Sequence, residues 1–255
     1  MATASELGGM VRRWVRGGME IAAILLFVFL AKAAIAEPFY VPSGSMEPTL
    51  LIGDELIAAK YSYGYSAASL PFGVTLGQSG RVFGRLPDRG DVVVFRWPGD
   101  PSQTWVKRVI GLPGDRVAVR GGVVWINGVP ATLRPDGQGR SERADGTAMR
   151  AERLVETLPG GVSHPILKLV ADGPLDTIPE LTVPPGRLFV MGDNRDNSAD
   201  SRLSVAAGGV GLLPVDNLVG RAEAVVASWD LAASSQPVWT WPAALRLDRF
   251  LSAIR

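Results

Sequence analysis

Cysteine is absent from the 255 residues, which excludes a disulfide, a thiolate nucleophile and a cysteine zinc site. Histidine occurs once, as His164, so a multi-histidine metal site is excluded and any Ser-His-Asp triad would have to use that residue. Lysine is nearly as scarce, occurring only as Lys32, Lys60, Lys107 and Lys168. Nearly all the remaining positive charge is arginine, which does not release its proton. A catalytic base is therefore His164, a carboxylate or one of those lysines. The formal net charge of +1 gives no electrostatic case for nucleic acid.

What is present describes a folded chain rich in turns. Hydrophobic residues make up 47% and charged residues 20%, which excludes a disordered protein. The 30 glycines and 19 prolines suit a β-rich fold better than a helical bundle. The length fits one substantial domain or two small ones.

One segment has the character of a membrane span. Arg12, Arg13 and Arg16 precede an apolar run, and residues 17–36 are about the ~20 needed to cross a bilayer as a helix. Glu20 and Lys32 lie near its ends, where long side chains reach headgroups. Arginines ahead of the run would keep the N-terminus cytoplasmic and place the chain beyond residue 37 outside. The same features, with "AIA" at 34–36, also describe a cleavable signal peptide.

Downstream, residues 41–130 read as strands and turns. "DVVVFRW" and "TWVKRVIGL" are β runs joined by "PGDPSQ", and Asn127-Gly128 is a strong hairpin signal. Residues 131–185 change character: "RPDGQGRSERADGTAMRAER" is polar and predicts a loop, after which "ETLPGGVSHPILKLV" restores strand character. "GRLFVMGDNRDNSADSR" is a buried strand running into a dense polar loop, and "NLVGRAEAVVASWD" is a last strand. "WTWPAALRLDRFLSAIR" predicts a short amphipathic helix with Ala243, Leu247, Phe250, Leu251 and Ile254 on one face. The expected division is 1–16 basic N-terminus, 17–36 anchor, 37–130 and 186–230 two parts of a β core, 131–185 an inserted subdomain and 231–255 a tail.

"VPSGSMEPTL" (41–50) holds Ser43 and Ser45 around a glycine, either as turn filler or as a nucleophile and its helper. A serine needs a base, and a lysine can serve only if burial lowers its pKa from about 10.4. Lys107 shares a strand face with Trp105 and Val109, an environment that would desolvate an amine. Spacing alone favours the plainer reading, a cation on a sheet edge. His164, before Pro165 in a turn-rich stretch, reads as a surface or structural histidine. "GDNRDNSADSR" (192–202) fits a self-bonded polar turn or a platform holding a catalytic group. It does not fit a calcium loop, since counting from Asp196 places Ser201 at the sixth position and Ala207 at the twelfth.

"PSGSMEPTL", "GDELIAAK", "RGDVVVF…KRVIGLPGD" and "GDNRDNSADSR" stand in that order behind a basic, apolar N-terminus. In this the chain resembles the bacterial type I signal peptidases (leader peptidases), from about Glu37 to Asp230. The resemblance implies a mainly β fold: one transmembrane helix, then an antiparallel catalytic sheet with an inserted β subdomain. It implies a membrane-bound serine endopeptidase, with no cofactor or metal, that cuts preproteins after A-x-A. Ser45 matches the nucleophile and Lys107 the base. Ser43 and the Ser45 N–H match the oxyanion hole. Ser198 matches the serine that hydrogen-bonds the lysine, and Asp200 with Arg202 the pair bracing that loop. Phe39, Val41, Met46, Leu50, Leu56, Val94, Trp105 and Val106 align with pocket positions, Trp105 standing where a smaller aromatic is expected. The implied partners are signal peptides of preproteins and the lipid bilayer, with the enzyme a monomer near the export machinery at the bacterial inner membrane. The alternatives are a β-rich binding protein, secreted or anchored, and a specialised Ser-Lys processing peptidase.

Overall fold

The run Val92–Phe95 has no polar alternation because both of its faces are buried. Val92 and Val94 enter one core cluster with Val41, Met46, Leu50 and Leu56. Val93 and Phe95 enter a second with Val109, Leu188 and Val190. The molecule, a computed structural model, describes residues 14–27, 35–69, 80–142, 147–231, 233 and 242–255.

The strands in chain order are β1 (Ala36–Tyr40), β2 (Asp54–Ala59), β3 (Val92–Trp97), β4 (Asp100–Gly111) and β5 (Arg116–Arg120). Then come β6 (Val123–Ile126), β7 (Val129–Pro130), β8 (Thr132–Glu142), β9 (Ala148–Thr157) and β10 (Ser163–Lys168). The last are β11 (Ile178–Thr182), β12 (Arg187–Met191), β13 (Leu213–Pro214), β14 (Leu218–Ser228) and β15 (Ser252–Ala253). The main sheet has eight strands in the order β1-β2-β14-β3-β4-β12-β13, with β15 paired to β14. A four-stranded sheet, β11-β5-β6-β7, packs Val117, Val124 and Ile126 against Ile110 and Phe189 from the main sheet. A three-stranded sheet runs β10-β9-β8. The pairings between these strands are all antiparallel, so the protein is mainly β.

The Asn127-Gly128 signal is the turn between β6 and β7, with φ of 53° and 81°, the left-handed pair that such a hairpin requires. Two sequence expectations are corrected. The polar stretch from residue 131 is a hairpin, with β8 and β9 paired from Thr132↔Thr157 to Glu142↔Ala148. Backbone hydrogen bonds carry that pairing, so it needs no apolar alternation. The C-terminal amphipathic helix is absent from 242–255. Leu247–Arg249 form a 3-10 turn and β15 joins the edge of β14. Leu247, Phe250 and Leu251 stay exposed where a helix would have buried one face.

Residues 14–27 are helical. Part of the expected span 17–36 lies outside the described residues, and among those described no helix is long and apolar enough to cross a membrane.

Candidate active site

Ser45 sits in a one-turn 3-10 helix, Gly44–Met46, that follows the extended residue Ser43. Lys107 reaches it from β4, and its Nζ lies 2.8 Å from Ser45 Oγ. The same amine donates to the Val106 carbonyl at 2.9 Å. Lys107 is 3% exposed. Burial lowers its pKa from 10.5 to about 8, against Asp200 and Asp193, which favour the charged form. The Trp105 ring, centred 5.6 Å from Nζ, also favours the cation, and desolvation still prevails.

The other described lysines are committed elsewhere. Lys60 pairs with Glu37 at 2.7 Å, and Lys168 lies 2.6 Å from Asp176 and 2.8 Å from Asp196. Lys107 faces a hydroxyl and a carbonyl instead of a carboxylate. His164 is buried 3.2 Å from Glu156 and does not line the cleft that holds Ser45. Burial lowers its pKa, although Glu156 acts in the opposite sense.

Ser43 Oγ lies 3.5 Å from Ser45 Oγ and lines the same cleft. That cleft, about 820 Å³, has one apolar wall made by Phe39, Val41, Leu56, Val94, Trp105 and Val106. Trp105 stacks on Trp97 with centroids 4.9 Å apart and planes 2° from parallel. Leu175, Asp196, Asn197 and Ser198 line the same cleft. Met46 and Leu50 do not line the cleft; both are fully buried in the core cluster behind its apolar wall.

The loop after β12 is fixed to the nucleophile turn from several sides. The Asn194 N–H donates to the Ser45 carbonyl at 3.1 Å, and Asn194 Nδ2 donates to the Gly44 carbonyl at 3.0 Å. Asp200 accepts from Arg202 Nε and Nη2, both at 2.8 Å, and from the Gly192 N–H at 3.0 Å. Arg202 Nη2 donates to the Arg195 carbonyl at 2.7 Å. Arg108 grips Asp193 with two hydrogen bonds, at 2.8 and 2.7 Å. Glu156 takes Arg195 in a fork, which ties β9 to the loop. The resemblance also implies a hydrogen bond from Ser198 to Lys107. That bond is not formed: the amine is turned to Ser45 Oγ and the Val106 carbonyl, and Ser198 Oγ is buried without a partner.

Gly192 is required by space. A Cβ there would fall 2.2 Å from Ser198 Oγ and 2.4 Å from the Ser45 carbonyl oxygen. Gly192→Ala is expected to cost about 1–3 kcal/mol by overpacking and to cut kcat up to about 100-fold by displacing Ser45. Urea melts and turnover on one preparation would show it; wild-type values in both would refute the contact.

Gly192, Asn194, Arg108, Glu156 and Arg195 belong to this site and were not singled out from the sequence. The "GDNRDNSADSR" run held a signal for the loop members. Arg108 and Glu156 are recognisable only once β4 and β9 are seen to meet the loop.

Residues 11–229 match the family model described as "Signal peptidase, peptidase S26". Signal peptidase I of Rickettsia akari (strain Hartford) is 34% identical over 241 residues, covering 92% of this chain and 87% of that protein. Signal peptidase I of Rickettsia conorii (strain ATCC VR-613 / Malish 7) is 34% identical over 243 residues, 92% of this chain and 88% of the relative. A solved signal peptidase I from Enterococcus faecalis V583 is 27% identical and covers 54% of this chain and 97% of its own, at a TM-score of 0.32, too low to bear on the fold.

Proposed function

The chain belongs to the signal peptidase family, peptidase S26, and is a serine peptidase that cleaves signal peptides; from that premise we propose that Ser45 is the nucleophile and Lys107 the general base. The observation carrying this reading is the 2.8 Å approach of a buried lysine, held by no carboxylate, to a serine hydroxyl.

Neutral Lys107 takes the Ser45 proton as Oγ attacks the scissile carbonyl. The Ser43 hydroxyl and the Ser45 N–H donate to the oxyanion; one such donor is worth about 10²–10³ in rate. The lysine ammonium then protonates the leaving amine. A water loses its proton to the same lysine and hydrolyses the acyl-enzyme. Asp200 and Arg202 brace the loop that closes the site.

Val41, Leu56, Val94 and Val106, with Phe39 and Trp105 at the rim, accept the small side chains of an A-x-A motif, while Met46 and Leu50 support that wall from behind. The apolar segment that starts at residue 17 and ends ahead of β1 anchors the enzyme in the bacterial inner membrane by a single pass, with the β core on the extracytoplasmic side near the export machinery. It acts as a monomer.

Ser45→Ala is expected to abolish preprotein cleavage, while the wild-type rate rises with pH through about 8 as Lys107 loses its proton. A rate that levels off before the Lys107 range and does not rise between about 7 and 8 would take the base away from Lys107, and activity in Ser45→Ala would end the dyad reading.

A further inference from the structure

Glu47 is 2% exposed and takes no part in the proton transfers between Ser45 and Lys107. It lies directly behind the Ser43-Gly44-Ser45 turn: a Cβ built on Gly44 would fall 2.8 Å from Glu47 Oε2. Two segments converge on its carboxyl. From β8, the Glu142 N–H donates to it at 3.1 Å, and the Ser141 hydroxyl hydrogen-bonds it. From the loop after β12, Asn194 Nδ2 donates to it at 3.2 Å. The same Nδ2 also reaches Ser141 Oγ at 2.6 Å and the Gly44 carbonyl at 3.0 Å.

The two Nδ2 hydrogens, the Ser141 hydroxyl and the Glu142 N–H are four donors. With Glu47 ionised, its two oxygens, Ser141 Oγ and the Gly44 carbonyl receive them. Ser141 and Glu142 serve the carboxylate, and Asn194 Nδ2 shares its two hydrogens among the carboxylate, Ser141 Oγ and the Gly44 carbonyl. Protonating Glu47 removes the charge that draws these donors and places an O–H among them, which weakens the hold on Asn194 Nδ2. A buried donor left unmatched costs more than a hydrogen bond gains.

We propose that Glu47 is a positioning residue whose ionised carboxylate completes the clamp between Asn194 and the Gly44 carbonyl, and so holds Ser43 and Ser45 in register for the oxyanion. Its proton is therefore a second control on the rate, separate from that of Lys107. Burial raises the Glu47 pKa to about 7, with the Glu142 N–H and the Ser141 hydroxyl opposing it and the Glu142 charge adding to it. Asn194, the contact from the loop, is neutral.

This inference rests on the Ser45–Lys107 reading, and a pH profile of preprotein cleavage by the full chain separates the two. In wild type, log(kcat/KM) is expected to rise with a slope of 2 below pH about 7, where both groups must lose a proton, and a slope of 1 between about 7 and 8. Glu47→Gln fixes the neutral form. It is expected to give a slope of 1 throughout and a kcat plateau about tenfold lower, with KM nearly unchanged. A merely structural Glu47 would lower the plateau and leave both slopes alone. A wild-type slope of 1 below pH 7, with Ser45→Ala inactive, would overturn the role of Glu47 alone, whether or not the Gln variant folds. Cleavage that persists in Ser45→Ala would overturn the dyad and this inference together.

Discussion

Lys107→Met is expected to lower kcat by at least about 10²–10⁴, the range supplied by a positioned general base, and to leave the fold no less stable. The second half follows from the burial of the amine. In the unfolded chain the lysine holds its proton to about 10.4, and in the native state only to about 8. Between those values the unfolded state binds more protons, so stability rises with pH. Below about 8 the lysine therefore detracts roughly 3 kcal/mol from folding. Methionine fills the same volume without the amine. It forfeits the hydrogen bonds to Ser45 Oγ and the Val106 carbonyl, about 1 kcal/mol each, which offsets most of that gain. An unchanged or slightly raised Tm at pH 7 with cleavage lost is the expected pair. Near-wild-type cleavage would remove Lys107 from the mechanism, and a collapsed Tm would make it a structural residue.

Arg108→Met is expected to have the largest effect on stability, roughly 3–5 kcal/mol, because it leaves Asp193 buried without its counter-charge. Burial alone raises the Asp193 pKa, and the guanidinium outweighs it, holding the carboxyl below 3.8. A folded pKa below the unfolded one adds stability that is complete above the unfolded pKa and is lost as pH falls through the folded one. Without Arg108 nothing of that size opposes burial, so the acid unfolding midpoint should move to higher pH. Cleavage should fall as well, since Asp193 directly precedes the Asn194 that holds the nucleophile turn. Urea melts and an acid titration followed by circular dichroism test both effects. An acid midpoint equal to that of wild type would show that the pair does not set it.

Both predictions depend on contacts of different legibility. Ser45 and Lys107 could be singled out because lysine is rare and because four motifs stand in a recognisable order. The β3 run and the Asn127-Gly128 turn were readable because burial on two faces and a left-handed pair of residues each leave a local mark. The β8–β9 hairpin leaves little: β8 is mostly exposed, and the two strands are held by backbone pairing that any side chain permits. At the C-terminus the apolar spacing has the helical period, yet pairing of Ser252–Ala253 with β14 outweighs it. The Glu47 cluster joins residues 44, 47, 141, 142 and 194, and no local pattern marks a site whose parts meet only through the tertiary fold.

The placement of β1 has a consequence for the substrate. Its five residues are hydrogen-bonded to β2 along their whole length, from Ala36↔Ala59 to Tyr40↔Glu55. A strand of that length spans about 17 Å and cannot stretch while its sheet holds. The chain therefore runs from residue 35 to the nucleophile turn along a rigid gauge. Under the proposed anchor, the register of β1 on β2 would fix the distance from the membrane to Ser45, and with it how far a preprotein must extend to be cut.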